Sequence, residues 1–343
     1  MTAPLTIILH PGMGKSGSSA IQSGLSQERE DLMKQGVLYP RTDSHVFLGL
    51  WTHSFTNLPR ALTPFCQTET KLTELRSQLL AQIKTEVSSA APHTLILSSE
   101  YVFSGGLESI RAAYTLESEL SAKIKPIVYM REPVSYYLSY IQQVIKATNS
   151  FPQPAEFEYP FVEYLDELEK LSGLSLIVRA YDRSKFPAGD AYLDFKSALS
   201  ITSSYTQAPL KTNENESLSA EAMLFMRDFI KINFGGNPSD KPLVPIEIIL
   251  KVLNGAGTKP SINPKVKTFL ASRFSSQLNM LEHKYGIKFD VEALPDTERL
   301  GEIEKTELED ILETYDENIY REICHRTLGS LIKYIPYKLS NQR

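Results

Sequence analysis

The sequence has little cysteine and no excess of basic residues. Only Cys66 and Cys324 occur among its 343 residues, too few and too far apart for a disulfide framework or a zinc site. Lysine and arginine total 36 against 41 aspartate and glutamate residues, so the formal net charge is −5. This balance argues against a general nucleic-acid-binding surface, although a local basic pocket fits within an acidic envelope. We therefore expect a reducing compartment and a small or neutral partner, not nucleic acid.

Long apolar runs are missing as well. The run at residues 5–9 is too short for the apolar part of a signal peptide and has no basic residue ahead of it. No later run approaches the ~20 apolar residues that cross a bilayer. The sequence therefore predicts a cytoplasmic protein without a membrane span.

The chain does contain short apolar runs that alternate with helical patterns. The clearest strand candidates are residues 5–9, 94–99, 125–130 and 174–181, and the pattern is mostly helical from residue 217 on. Short buried strands that alternate with helices are typical of an α/β fold with a mainly parallel central sheet. We expect one α/β domain over residues 1–290 and a helical C-terminal extension over 291–343 that packs on the same domain.

The segment HPGMGKSGSSAIQSGL, residues 10–25, follows the first strand at once. It has the glycines, the lysine and the hydroxyls of a phosphate-binding loop, but a Walker A motif would need glycine where Leu9 stands. The backbone N–H groups of a strand-loop-helix turn still favour an anion, which Lys15 and the serine hydroxyls would surround. The alternative is an ordinary glycine- and serine-rich turn with a serine cap on the helix.

A second basic residue follows a later strand. In IVYMREPVSYYLSYIQQVIK, Arg131 ends the strand and Ser139 lies on the helical pattern that comes next. A guanidinium group holds phosphate well, because its fork of donors matches the phosphate oxygens. Taken singly, Arg131 could pair with Glu132 at the surface, and Ser139 could be an ordinary helix position. The joint occurrence of loop, arginine and serine in this order is the specific signal.

These two segments together resemble the sulfotransferase family that uses 3′-phosphoadenosine-5′-phosphosulfate (PAPS), and in particular its bacterial members. In that family a Lys-[Ser/Thr]-Gly-[Ser/Thr]-[Ser/Thr] loop takes the 5′-phosphosulfate, and a strand-ending arginine with a serine eight residues on takes the 3′-phosphate. The matching residues here are Lys15, Ser16, Gly17, Ser18, Ser19, Arg131 and Ser139. The resemblance implies a P-loop-type three-layer αβα sandwich that binds PAPS and releases adenosine 3′,5′-bisphosphate.

The resemblance also implies the catalytic groups. Lys15 would neutralise charge on the phosphosulfate and the departing oxygen, and no metal would be required, since a sulfuryl group is less negative than a phosphoryl group. Glu100, at the end of the TLILSSE strand, is the first candidate for the base that accepts the acceptor proton. His45 and His53 are its rivals, because an imidazole that titrates near neutrality suits the task. A solvated strand end or a satisfied loop histidine is the alternative for each.

Two other functions stay open. A P-loop kinase would use ATP with Mg²⁺, but Leu9 and the Arg131/Ser139 pair argue against it. A non-catalytic nucleotide-binding protein would keep the fold and lose the reaction, and the presence of Lys15 and Glu100 weighs against this. The favoured reaction is sulfuryl transfer to the hydroxyl of a carbohydrate or another small molecule. The sequence leaves the identity of the acceptor and the oligomeric state open.

Overall fold

The structure, a computed structural model, describes residues 4–146, 148–202, 218–234, 257–289 and 307–325. These residues group into two compact units. The first unit takes its residues from 1–132, 159–210 and 277–289, and the second from 133–158, 211–276 and 290–343. The predicted division at residue 290 stays a prediction, because only 307–325 of the expected extension is described.

A five-stranded sheet forms the centre of the first unit. Its strands are β1 (Leu5–Pro11), β2 (Val37–Leu38), β3 (Thr94–Ser99), β4 (Ala122–Met130) and β5 (Ile177–Ala180). Their order across the sheet is β2-β3-β1-β4-β5, and every neighbouring pair is parallel. In the central register, Ile8 of β1 lies opposite Ile96 on one side and Lys125 on the other. The predicted α/β fold with a mainly parallel sheet is confirmed.

Helices connect the strands. In chain order they are α1 (Ser18–Gln27), α2 (Arg29–Lys34), α3 (Ser44–Thr52), α4 (Glu69–Ala90), α5 (Tyr101–Ser104), α6 (Gly106–Tyr114), α7 (Leu116–Leu120), α8 (Pro133–Val144), α9 (Phe161–Leu171), α10 (Ala191–Ala198), α11 (Ala220–Phe234), α12 (Pro264–Arg273), α13 (Ser275–Tyr285) and α14 (Leu308–Ile311). Of these, α8, α11, α12 and α14 belong to the second unit. Within the described ranges, no helix combines the length and the apolar character that crossing a bilayer requires.

The strands form where apolar residues run without interruption. Ile7 and Leu9 are fully buried and Ile8 is 5% exposed, although successive side chains of a strand point to opposite faces. Both faces of β1 are therefore covered, as in other parallel sheets with helices on each side. On one face, Ile8 packs in a cluster with Leu25 of α1 and Phe195 of α10. This burial fixes where β1 ends, and therefore where the loop after it begins.

The helical segment after the loop is interrupted at Glu28, whose carboxylate turns into the core. Lys196 Nζ lies 2.8 Å from a carboxylate oxygen of Glu28, and both side chains are at most 5% exposed. The hydroxyl of Tyr192 donates to the same oxygen. Close approach of α10 to α1 depends on Gly24, where a Cβ would lie 2.3 Å from the ring of Tyr192. The buried ion pair therefore holds α10 against α1, the helix that follows the loop.

Replacing Lys196 by Met should lower the free energy of unfolding by about 3 kcal/mol, because it leaves the buried carboxylate of Glu28 without its cation. Urea unfolding at pH 7 measures this. The double variant Glu28→Gln/Lys196→Met should recover much of the loss, since no buried charge remains. As a matched control, Lys84→Met removes the exposed ion pair with Glu119 and should change stability by less than about 1 kcal/mol. Equal losses in the two lysine variants would contradict the prediction.

Candidate functional site

The carboxyl ends of β1 and β4 border a crevice. The connection after β1 leads to β2 at one edge of the sheet, whereas the connection after β4 leads to β5 at the other. In open parallel sheets, ligands bind where neighbouring strands diverge in this way. The loop at 12–17 follows β1 and Arg131 follows β4 directly, so both lie at this position.

Two backbone reversals shape the loop. Lys15 has φ 62° and Gly17 has φ 86°, both in the left-handed region. Glycine is required at 17 for a second reason, because a Cβ there would lie 2.8 Å from the ring of Tyr181. The amide and the hydroxyl of Ser16 both donate to the carbonyl oxygen of Met13, at 3.1 and 2.5 Å. The hydroxyl of Ser16 therefore closes the turn, and its hydrogen is not directed to a ligand.

The first turn of α1 offers unpaired donors. This helix begins at Ser18 without a side-chain cap, and the first N–H groups of a helix have no acceptor within it. The hydroxyl of Ser18 is buried and has no hydrogen-bond partner among the described residues. Gly12 makes room for it, because a Cβ at that position would lie 2.3 Å from Ser18 Oγ. Ser19 is exposed. A buried hydroxyl beside a helix N-terminus is suited to an anion with several oxygen acceptors.

Two cations meet at the crevice. Arg131 Nη1 donates to the carbonyl oxygen of Lys15 at 2.8 Å, and the backbone N–H of Arg131 donates to the sulfur of Met13 at 3.4 Å. The guanidinium carbon of Arg131 lies 5.9 Å from the ring centroid of Tyr181. Burial lowers the pKa of Lys15, and nearby Arg131 lowers it further, while the carboxylate of Glu100 opposes the shift. An anion bound here would relieve the repulsion between the two cations.

The three candidate bases lie around Tyr101. Glu100 precedes it in the chain and interacts electrostatically with the loop lysine. The ring of His45 stacks on Tyr101 with 4.2 Å between the centroids, and His45 Nδ1 lies 3.0 Å from Ser99 Oγ. The ring of His53 meets Tyr101 edge-on at 6.2 Å. The structure thus brings Glu100, His45 and His53 together around Tyr101.

His53 is the most buried of the three. It is 6% exposed, and its Nδ1 lies 3.1 Å from the carbonyl oxygen of Gly49. A carbonyl only accepts, so this bond places the hydrogen on Nδ1 and the lone pair on Nε2. Burial lowers the pKa of His53. This shift favours the neutral imidazole, whose Nε2 can accept a proton.

A cavity of about 530 Å³ opens beside this group. Its walls include Thr52, His53, Tyr101, Ser104, Glu108 and Ser109. Because Tyr101 is both a wall residue and the immediate neighbour of Glu100, the cavity lies on the base side of the loop. The cavity therefore borders the residues that are the candidate bases.

Ser139 belongs to the second unit. It lies on α8 and is 8% exposed. Its role in binding a 3′-phosphate stays a prediction. The predicted independence from metal also stays a prediction, although the described ranges contain no group of three or more His, Cys, Asp or Glu side chains placed to hold an ion.

Comparison with known proteins adds little. No family model and no curated protein matches the chain. Among solved structures, one from a characterisation of the PezAT chromosomal toxin-antitoxin system of Streptococcus pneumoniae shows weak similarity. It has 16% sequence identity and a TM-score of 0.29, with 67% of this chain and 85% of that chain covered. Similarity this weak carries no argument about function, so any function must be argued from the site itself.

The sequence motifs do not assign a role to His10, which lies near the end of β1 and connects it to β3 next to the loop. This residue of β1 is fully buried, and its Nδ1 lies 2.8 Å from Ser98 Oγ on β3. Gln22 of α1 donates to the same oxygen at 3.2 Å. The network ties β1, β3 and α1 together beneath the loop. A single polar side chain at the end of the apolar run LTIILHP is the sequence signal that could have identified it.

Burial lowers the pKa of His10 to about 4, from 6.5 in the unfolded chain. The unfolded chain therefore takes up the proton first, so the stability is complete above pH 6.5 and falls as the pH drops towards 4. The contribution of His10 to this loss is about 3 kcal/mol. His10→Asn keeps a donor for Ser98 and does not titrate, so its free energy of unfolding should fall correspondingly less between pH 7 and pH 4. Equal pH slopes in urea unfolding of the two proteins would contradict the assignment.

Proposed function

We propose that this protein is a PAPS-dependent sulfotransferase. The observation that carries the proposal is the bond from Arg131 to the carbonyl of Lys15, which joins a second cation to an anion-binding loop at the β1–β4 crevice. One cation and a helix N-terminus suffice for a single phosphate group. Two cations on adjacent strand ends suit a ligand with two separate anionic groups, which is the charge pattern of PAPS.

The residues present fit a phosphosulfate at the loop. Gly14 leaves open space beside the loop backbone, since a Cβ there would meet nothing within 4 Å, and the buried hydroxyl of Ser18 lacks a partner that a sulfate or phosphate oxygen would supply. Lys15 provides the positive charge. The groups that would hold the phosphosulfate are Lys15, Ser18, Ser19 and the amide of Gly17. Arg131 is proposed for the 3′-phosphate, and Ser139 is added to it on the resemblance alone.

PAPS, as donor substrate, supplies the sulfuryl group, whose bond to the bridging phosphate oxygen breaks as the acceptor oxygen bonds to sulfur. Lys15 stabilises the negative charge that collects on that bridging oxygen. Burial removes water from the ammonium group of Lys15, which lowers its pKa. A poorly solvated ammonium group interacts strongly with a developing negative charge. The products are a sulfate ester and adenosine 3′,5′-bisphosphate.

The acceptor hydroxyl gives its proton to a base beside the loop. Glu100 is the first candidate, since it interacts with Lys15 and stands at the end of β3. His53 and His45 are the alternatives, each with its Nδ1 engaged in a hydrogen bond. For His53 the second ring nitrogen, Nε2, is the atom that would take the proton, because Nδ1 donates to a carbonyl.

We also propose that the enzyme acts in the cytoplasm on a carbohydrate or small-molecule hydroxyl. Both cysteines are free thiols, Cys66 buried and Cys324 half-buried, which supports a reducing compartment. The cavity beside Tyr101 supports a small acceptor, since its volume lies within the ~300–1,000 Å³ typical of small-molecule sites.

Calorimetric titration with adenosine 3′,5′-bisphosphate tests the nucleotide site. The wild-type chain should bind it at micromolar concentration, and Arg131→Ala and Lys15→Ala should each weaken binding by about 10- to 100-fold, the effect of losing a charge-assisted hydrogen bond. Lys34→Ala is the matched control, because that exposed lysine pairs with Asp31 on α2. ATP with Mg²⁺ is the competing ligand. If the chain binds ATP and does not bind the bisphosphate, the sulfotransferase proposal is wrong and the protein is better described as a P-loop kinase.

Sulfate transfer from PAPS tests the catalytic groups. Lys15→Ala should slow turnover by ~10²–10³ at saturating PAPS, because the departing charge loses its main donor. Glu100→Gln should slow turnover by ~10²–10⁴ and leave bisphosphate binding intact, as loss of a general base predicts. Glu163→Gln, an exposed carboxylate on α9, is the control. Undiminished transfer by Lys15→Ala would exclude the mechanism. If His53→Gln or His45→Gln lowers turnover and Glu100→Gln does not, that histidine is the general base.

A further inference from the structure

Three hydroxyls in the wall of the cavity beside Tyr101 donate their hydrogens to backbone carbonyls. Thr52 Oγ1 donates to the carbonyl of Leu48 at 2.7 Å, and Ser109 Oγ donates to the carbonyl of Thr52 at 3.0 Å. Ser104 Oγ donates to the carbonyl of Tyr101, also at 3.0 Å. A hydroxyl that has donated its hydrogen still has lone pairs. These three groups can therefore only accept hydrogen bonds from a molecule in the cavity.

Two further wall residues are acceptors as well. His53 keeps its hydrogen on Nδ1, which faces the carbonyl of Gly49, so its Nε2 presents a lone pair. Glu108, in the first turn of α6, is exposed and adds a carboxylate. Arg111 lies one turn further along α6, but its guanidinium donates to Glu167 at 2.6 Å. Ser54, Asn57 and Tyr101 add wall groups that can also donate. The wall therefore offers several acceptors and a few donors, and a ligand that fits it must bring hydroxyl groups, which do both.

The charge of the wall points the same way. Glu108 is its one carboxylate, and the described wall residues include no lysine or arginine. Arg76 is not a wall residue, and its guanidinium donates to the backbone carbonyls of Leu50 and His53. At the wall itself, an anionic ligand would therefore meet the carboxylate of Glu108 and no cation with which to pair.

We infer that this cavity binds the acceptor substrate, that the acceptor is a hydroxyl-rich compound that is uncharged or carries an amine, and that Glu108 rejects anionic acceptors. The inference rests on the proposed function, because it assigns the second substrate of the same reaction. It specifies the class of acceptor: a neutral or amino sugar fits, whereas a uronic acid or a phosphorylated sugar does not.

Ligand-observed NMR on the full chain, with adenosine 3′,5′-bisphosphate present, tests the charge preference. The probes are methyl glucoside, glucosamine and glucuronate, which share one ring and differ in charge. The wild-type chain should bind glucosamine most tightly and glucuronate least, with about fivefold between the neutral and the anionic probe, as expected for a single exposed charge. Glu108→Lys should reverse the order of glucosamine and glucuronate.

Glu163→Lys is the matched control, because Glu163 is also exposed and also lies in the first turn of its helix. It should keep the wild-type order. Equal binding of glucosamine and glucuronate by the wild type, an unchanged order in Glu108→Lys, or no binding of any probe would overturn the inference. The bisphosphate titration separates failure of the acceptor inference from failure of the proposed function. If the bisphosphate binds and the sugars do not respond as stated, only the acceptor inference is lost. If the bisphosphate does not bind, the proposed function fails, and the order of sugar binding measured without the bisphosphate still decides what the cavity selects.

Discussion

The hydrogen bond from the Arg131 guanidinium to the carbonyl oxygen of Lys15 is the interaction on which the site depends. It joins the end of β4 to the loop after β1, two segments more than a hundred residues apart in the chain. It also places a second cation next to a lysine whose pKa burial has already lowered. This arrangement includes a left-handed backbone conformation at Lys15, which is energetically unfavourable for a residue other than glycine. A bound anion would reduce the repulsion between these two positive charges.

The two sides of the site differ in hydrogen-bonding character. The loop side offers donors: helix amides, a buried serine hydroxyl and two cations. The cavity side offers acceptors, namely three hydroxyls that have donated their hydrogens, an imidazole nitrogen and a carboxylate, together with donors on Asn57 and Tyr101. Tyr101 stands between them, next to Glu100 in sequence and in contact with the rings of His45 and His53. An anionic donor substrate and a hydroxyl-bearing acceptor would each find one side that suits it and one that does not.

Buried polar groups hold the loop in place from behind. The Glu28–Lys196 pair fixes α10 against α1, and the His10–Ser98 bond fixes the end of β1 against β3. Removing one member of the ion pair would leave an unpaired buried charge, which is strongly unfavourable. Contacts of this kind beneath a site help to hold its donors in the positions that a ligand requires.

The sequence by itself determined the fold class, the bounds of β3 and the loop that follows β1, because each depends on local apolar runs and on backbone preferences. It also placed Arg131 at the same sheet edge as the loop, since parallel strands end at one edge. Only the tertiary structure decided that β4 lies directly beside β1, that β4 begins as early as Ala122, and that Ser16 turns its hydrogen into the loop. Strand order, strand ends and hydroxyl direction all depend on partners distant in the chain. No local pattern contains that information, because the same residues would pair differently beside other neighbours.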